Sequence, residues 1–159
     1  MVFKAIRRIF THKQKVFAPP ELIFPLLCPT RAYEWIKDWD SEIIYSKSGF
    51  AEPGCVFKTD DPDSGEDLWI IAEYKKPFFI KFIRTNRYRI MNYTISFEPI
   101  SKNCTSVIWR QEITAINEEG NVYAADLEKS EFVDMIDMQE EFLNSYLVVN
   151  QENQMSKPA

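Results

Sequence analysis

The sequence predicts an α+β fold: a curved seven-stranded antiparallel sheet wrapped around one long C-terminal helix, in the order β-α-α-β(×6)-α. Three observations predict it. Residues 121 to 149 contain neither Pro nor Gly, and Ala125, Phe132, Met135, Ile136, Phe142, Leu143, Tyr146 and Leu147 recur at steps of three, four and seven. That spacing puts them on one face of a helix roughly 40 Å long, whose apolar stripe needs a broad partner surface. From Ile43 to Ile116 the period changes, and short turn-forming clusters separate the apolar runs. Between the first strand and this region, prolines break the chain into two short helices.

The start of the chain is basic, with Lys4, Arg7, Arg8, Lys13 and Lys15, but no apolar signal core or serine accompanies that charge. Alternation in HKQKVFA suits a first strand after a loose start better than a targeting peptide does. Pro19 and Pro20 stop the strand, and Pro20 suits the first position of a helix with Glu21 in its first turn. Pro25 removes a backbone donor and must kink or end that helix. Thr30 is placed to cap a second short helix, Arg31 to about Lys37.

Six strands are expected at residues 42–48, 55–59, 68–74, 79–85, 89–98 and 106–116. Their separators carry turn chemistry: Ser48-Gly49, Pro53-Gly54, Asp61-Pro62-Asp63-Ser64-Gly65, Lys76-Pro77, Asn86 and Ser101-Lys102-Asn103. Short turns between consecutive strands imply an antiparallel meander. Alternation puts Met91, Tyr93, Ile95 and Phe97 on one face of their strand. Val107, Trp109, Gln111, Ile113 and Ala115 share a face of the next. One buried and one wet face is what a sheet under a single helix layer requires. Residues 1–149 are read as one domain, and 150–159, polar and without apolar periodicity, as a loose tail.

A chain of 159 residues is long enough for a real core, and its 14% aromatic content exceeds what a small core needs. That surplus fits a dense core or an aromatic-lined pocket. The formal charge of -5 argues against non-specific binding to nucleic acid or acidic membranes. No apolar run reaches the length of a membrane span. Cys28, Cys55 and Cys104 are odd in number and unpaired in spacing, which fits reduced, buried thiols in a cytoplasmic protein. His12 is the only histidine, so no metal site and no cofactor are expected.

The segments LIFPLLCPTRAYEWIKDWD, IIYSKSGFAEPGCVFKT and LWIIAEY, with EGN at the opening of the last helix, resemble a bacterial branch of the START-like, SRPBCC superfamily. The resemblance runs from about Phe17 to Leu147. It implies the helix-grip fold shared by pollen-allergen-like proteins, polyketide cyclases and lipid-transfer domains, and a cavity between sheet and helix. It carries over no catalytic motif, because one fold hosts many activities.

The candidate ligand-binding residues follow from strand and helix facing. Trp35 and Trp39 lie at the second short helix; Tyr45, Trp69, Phe82, Tyr93 and Trp109 lie in strands; Phe132 and Met135 look inward from the long helix. Phe132 is expected near Trp109 or Tyr93. Arg84 and Gln111 fall on the inner face, and Glu128 and Gln139 interrupt the helix stripe; buried polar groups of this kind orient ligands or bond one another. Glu34 and Glu52 are expected in surface or capping roles, and the acidic turn as a solvated hairpin loop that lacks calcium-site spacing. Three functions remain open: a non-catalytic binder or carrier of a hydrophobic small molecule such as a lipid or polyketide; a cyclase or dehydratase using Arg84, Gln111 and Glu128; and a module docking a protein partner or a second copy.

Overall fold

A computed structural model describes residues 2–62 and 64–156, the last six of them by their backbone alone. Seven antiparallel strands form one sheet in the order β1-β7-β6-β5-β4-β3-β2. They are β1 (Arg7–Val16), β2 (Ser41–Tyr45), β3 (Val56–Asp61), β4 (Gly65–Lys75), β5 (Phe79–Thr85), β6 (Arg89–Ser101) and β7 (Cys104–Ala115). β2 to β7 are joined as a meander, and β1 closes on β7 from the far end of the chain. Register shifts at Ile43/Tyr45, Ile71/Glu73 and Pro99/Ser101 break the ladder, and such irregularities bend and twist a sheet.

The inner face carries the core. Phe57, Ile71, Ile80, Ile95, Val107 and Ile136 are almost fully buried in one cluster with Val16, Ile23 and Leu26. Along β6 the alternation is clean: Arg89, Met91, Tyr93, Ile95 and Phe97 are buried while the intervening residues are not. The three cysteines are buried and unbridged, as their composition and spacing suggest.

After β1, Pro20 opens the short helix α1 (Pro20–Ile23), and Pro25 turns the chain at once into a 3-10 turn, Phe24–Leu27. The second helix expected after Thr30 is reduced to one 3-10 turn, Ala32–Glu34. Thr30 does not cap it; its hydroxyl lies 2.9 Å from the Cys28 thiol. This segment is instead fixed by side chains reaching back: the Trp35 indole donates to the Leu26 carbonyl at 2.6 Å, and the Trp39 indole and Ser41 hydroxyl both donate to the Pro29 carbonyl at 3.0 Å.

The predicted single C-terminal helix is two. α2 (Glu118–Asp126) is capped by Asn117, whose side-chain oxygen accepts from the Gly120 N–H at 2.8 Å. Leu127 then turns extended and packs against the core, and α3 (Lys129–Ser156) starts in a new direction. The break allows α2 to pack on β7 while α3 lies along β1. It also shifts the helical phase, so Ala124 is buried and Ala125 is exposed, contrary to the stripe read from sequence. Downstream the stripe holds, with Phe132, Ile136, Leu143 and Leu147 buried. α3 continues beyond Val149, past the expected start of the tail; residues 157–159 of that tail lie outside the described residues.

Two asparagines sew the helices to the open edge of the sheet. Asn121 accepts from the Ile6 N–H at 2.8 Å and donates to the Lys4 carbonyl at 2.9 Å. Asn144 accepts from the Phe17 N–H at 2.9 Å and donates to the Lys15 carbonyl at 3.0 Å. Glu140 takes the Lys15 N–H, and the buried Gln14 amide reaches the Ile136 carbonyl. An unpaired strand edge invites stray pairing, and here the helices cover it with side-chain hydrogen bonds.

Candidate functional site: an aromatic cavity under the long helix

Between the inner face of the sheet, the 27–39 segment and α3 lies a cavity of about 170 Å³. β3 contributes Phe57, β4 Trp69, β5 Phe82 and Arg84, β6 Tyr93 and Ile95, and β7 Trp109 and Gln111. Leu27, Ala32, Trp35, Ile36 and Trp39 close one side, and Met135 and Gln139 of α3 close another. The rings support one another. Phe57 stacks on Trp69 at 5.2 Å, Phe82 meets Trp69 edge-on at 5.6 Å, and Trp109 meets Tyr93 edge-on at 5.8 Å. Edge-on and offset contacts of this kind hold aromatic walls at fixed angles.

A second, shallower hollow of about 340 Å³ lies outside, lined by Thr30, Tyr33, Asp40, Ser41 and Ile43. It shares Pro29 and Trp39 with the inner cavity. Asp38, beside Trp39, has φ +63°, a left-handed conformation that costs a non-glycine residue free energy. The segment bearing Trp39 is tied to α3 through Glu34, which accepts from the Tyr146 hydroxyl at 2.7 Å and pairs with Arg31 at 2.8 Å. Those two hydrogen bonds, Arg31 first, hold the Glu34 carboxyl below its ordinary range. Glu52 caps the 46–50 turn through Ser48 N–H and the Ser46 hydroxyl, so both glutamates serve as structural ties.

The polar end of the cavity is an ion cluster. Arg84 lies over Trp69 at 4.4 Å and grips the Asp67 carboxylate through Nε at 2.6 Å and Nη2 at 2.5 Å. Asp67 is 0% exposed and also accepts from Arg89 at 3.1 Å and the Asn86 amide at 2.9 Å. Asp61 stands 3.8 Å from Arg84. Two carboxylates thus face Arg84, and Asp67 pairs with Arg89 as well. The acidic hairpin read as solvated loop therefore needs correcting at Asp67. That residue shares the inward phase of Trp69 and Ile71, and alternation carried two residues back from Trp69 would have shown it. Phe57 and Arg89 were missed likewise, although both obey the same period.

Nine of the eleven residues singled out from sequence line the cavity: Trp35, Trp39, Trp69, Phe82, Arg84, Tyr93, Trp109, Gln111 and Met135. Tyr45 and Phe132 do not. Tyr45 sits on the outer edge strand at a register shift and is 63% exposed. Phe132 is buried, but it stacks on Phe10 of β1 at 5.8 Å and is not part of the cavity lining, because the break before α3 sets the helix along β1. Glu128 lies at that break, exposed, with Ser130 donating to it at 3.5 Å. His12 pairs with Asp137 at 2.8 Å, at the surface of the contact between β1 and α3. Burial pushes the Tyr93 phenol up to about 12, against the opposing pull of Gln111 and Arg84. The lining is apolar in the main, with Arg84 its only charged side chain among the described residues.

No family model matches the chain, and no curated protein matches it. Solved structures do. Norcoclaurine synthase from Thalictrum flavum, in complex with dopamine and hydroxybenzaldehyde, superposes with a TM-score of 0.64 at 14% identity, over 98% of this chain and 91% of that one. A point mutant of the same enzyme with a transition-state analogue gives 0.65 at 13%, over 91% and 99%. A protein of Rhizobium loti gives 0.65 at 12%, over 91% and 99%. At such identity the likeness is one of architecture. The chain has a helix-grip fold, a curved antiparallel sheet around its C-terminal helices.

Proposed function

We propose that this protein binds a hydrophobic small molecule of about one aromatic ring in the cavity between sheet and α3, as a binder or carrier. The observation that supports it is an unfilled space of about 170 Å³ at the centre of an aromatic core. Protein interiors close-pack, and an unfilled space of this size among core rings forfeits packing contacts. An apolar engineered cavity of about 150 Å³ takes benzene, so a space of about 170 Å³ fits a ring-sized guest. The solved norcoclaurine synthase complex, with dopamine and hydroxybenzaldehyde, is consistent with single-ring guests on this fold. The segments quoted from the sequence further support a place in the bacterial SRPBCC branch.

The catalytic alternative draws support from Arg84 and Gln111 meeting in one lining. Their surroundings favour binding instead. Arg84 is committed to Asp67, the Tyr93 proton is held to about 12, and Glu128 stands outside. No proton acceptor working near neutrality remains in the lining among the described residues.

Native mass spectrometry of freshly purified protein, followed by thermal-shift titration with toluene, indole, flavonoids, fatty acids and sterols, tests the reading. A bound mass or a concentration-dependent rise in Tm with the single-ring compounds supports it, since a ligand of the folded state alone stabilises by mass action. No response to any compound, with a fully packed interior, would overturn it.

A further inference from the structure

Two of the cavity's three walls are bound firmly in place. The sheet is one hydrogen-bonded ladder, and α3 is tied to β1 through Asn144, Glu140 and Gln14. The third wall, the 27–39 segment, is fixed as far as Trp35, by its indole on the Leu26 carbonyl and by Glu34 on the Tyr146 hydroxyl. From Ile36 to Asp40 the chain is neither helix nor strand, until Ser41 opens β2. Trp39 stands in that stretch. It is half-buried, and together with Pro29 it lines both the cavity and the outer hollow. Its backbone N–H reaches the Ile36 carbonyl only at 3.4 Å, longer than the usual range. Asp38, just before it, holds the left-handed φ of +63°, a cost that leaving this conformation relieves.

We propose that Trp39 is the gate of the cavity, and that a ring-sized ligand enters from the outer hollow when the indole swings aside. This rests on the small-molecule reading above and adds how the site opens. The latch is one hydrogen bond, from the Trp39 indole N–H to the Pro29 carbonyl at 3.0 Å. Pro29 is buried, and a buried carbonyl left without a donor is costly. The Ser41 hydroxyl donates to that same carbonyl, also at 3.0 Å, and Ser41 is held in the β2–β3 ladder opposite Thr59. When Trp39 leaves, the carbonyl therefore keeps a partner. The freed indole N–H turns into the outer hollow, where Tyr33 and Asp40 are exposed and water can take its place. Edge-on contact with Trp69 at 6.4 Å returns the indole to the closed position. Trp35 is the fixed counterpart, 6% exposed and bonded at 2.6 Å.

The two donors to Pro29 act in opposite senses, and that gives the test. Trp39→Phe keeps a ring in the wall and removes the latch, so opening no longer breaks a hydrogen bond. Ser41→Ala leaves the closed gate bonded but strands the Pro29 carbonyl whenever the gate opens. The probe is fluorobenzene with the full chain, its exchange rate read by 19F magnetisation transfer and its Kd by titration. The association rate is expected to rise about fivefold in Trp39→Phe and to fall about fivefold in Ser41→Ala, the effect of one net hydrogen bond on a barrier. Kd should change by less than about threefold in either, because a gate alters entry and release together. A merely structural role would loosen the segment in both variants alike. Association that rises in both, falls in both or moves in neither, while fluorobenzene binds, overturns the gate and leaves the small-molecule reading standing. If fluorobenzene binds none of the three proteins, the underlying reading fails and the gate fails with it.

Discussion

Asp67 shows how much one buried carboxylate controls. It is fully buried and shared by two guanidinium groups and an amide. Asp67→Asn keeps the shape and removes the charge, leaving Arg84 and Arg89 short of a counter-ion in a poorly solvated place. Breaking a buried pair this way costs about 3–5 kcal/mol, and urea unfolding should read that loss. Tyr93 gives a pH signature. Its folded value of about 12 lies above the ordinary 10.0, so the folded state keeps a proton that the unfolded chain releases. The stabilising difference is complete below pH 10 and is lost as pH rises towards 12, because over that window the unfolded state binds fewer protons. The fall is about 2–3 kcal/mol by the linkage of one pKa unit to 1.36 kcal/mol. Urea midpoints between pH 9 and 12 should drop more steeply for the wild type than for Tyr93→Phe.

The helices act as fitted elements, and two substitutions probe the fit. Gly120 in the first turn of α2 lies against the β5–β6 turn, where an added Cβ would stand 2.0 Å from the Tyr88 carbonyl oxygen. Gly→Ala within a helix ordinarily stabilises by about 0.5–1 kcal/mol. At Gly120 the backbone clash reverses the sign, and overpacking should cost about 1–3 kcal/mol in denaturant unfolding. On α3, Phe132 stacks on Phe10 within the core and not on the cavity wall. Phe132→Ala should therefore cost about 3–5 kcal/mol, comparable with a Leu143→Ala control, and leave the ranking of ligands unchanged. These same elements mark where sequence reading succeeds and stops. The period-2 pattern placed Tyr93, Ile95, Trp109 and Gln111 on the buried face, because strand facing is a local property. The helix break at Leu127 was not legible, since no Pro or Gly marks it. Its cause is tertiary: Leu127 gains burial, and two helix axes replace one. Tyr45 and Phe132 stand off the cavity wall for related reasons, an edge-strand register shift and the choice of β1 as the partner of α3. Asp67 failed for a different one, since its acidic neighbours masked a readable alternation.

At the scale of the whole molecule, the fold is a sheet whose inner face is too wide for one helix to fill. α3 covers the β1 edge through Asn144, Glu140 and Gln14, and the 27–39 segment covers the other side. The space left between them is walled by rings that brace one another, with its one cation already paired. Among the described residues, no helix is long and apolar enough to cross a membrane. The account turns on that space being open to an apolar guest. Xenon is a direct probe, because it enters dry apolar cavities without needing any hydrogen bond. A crystal of the protein pressurised with xenon should show an atom bounded by Trp69, Tyr93, Trp109 and Met135, and toluene should compete for the same place. Absence of xenon there, with Met135 and the indole rings closed over the space, would contradict the account.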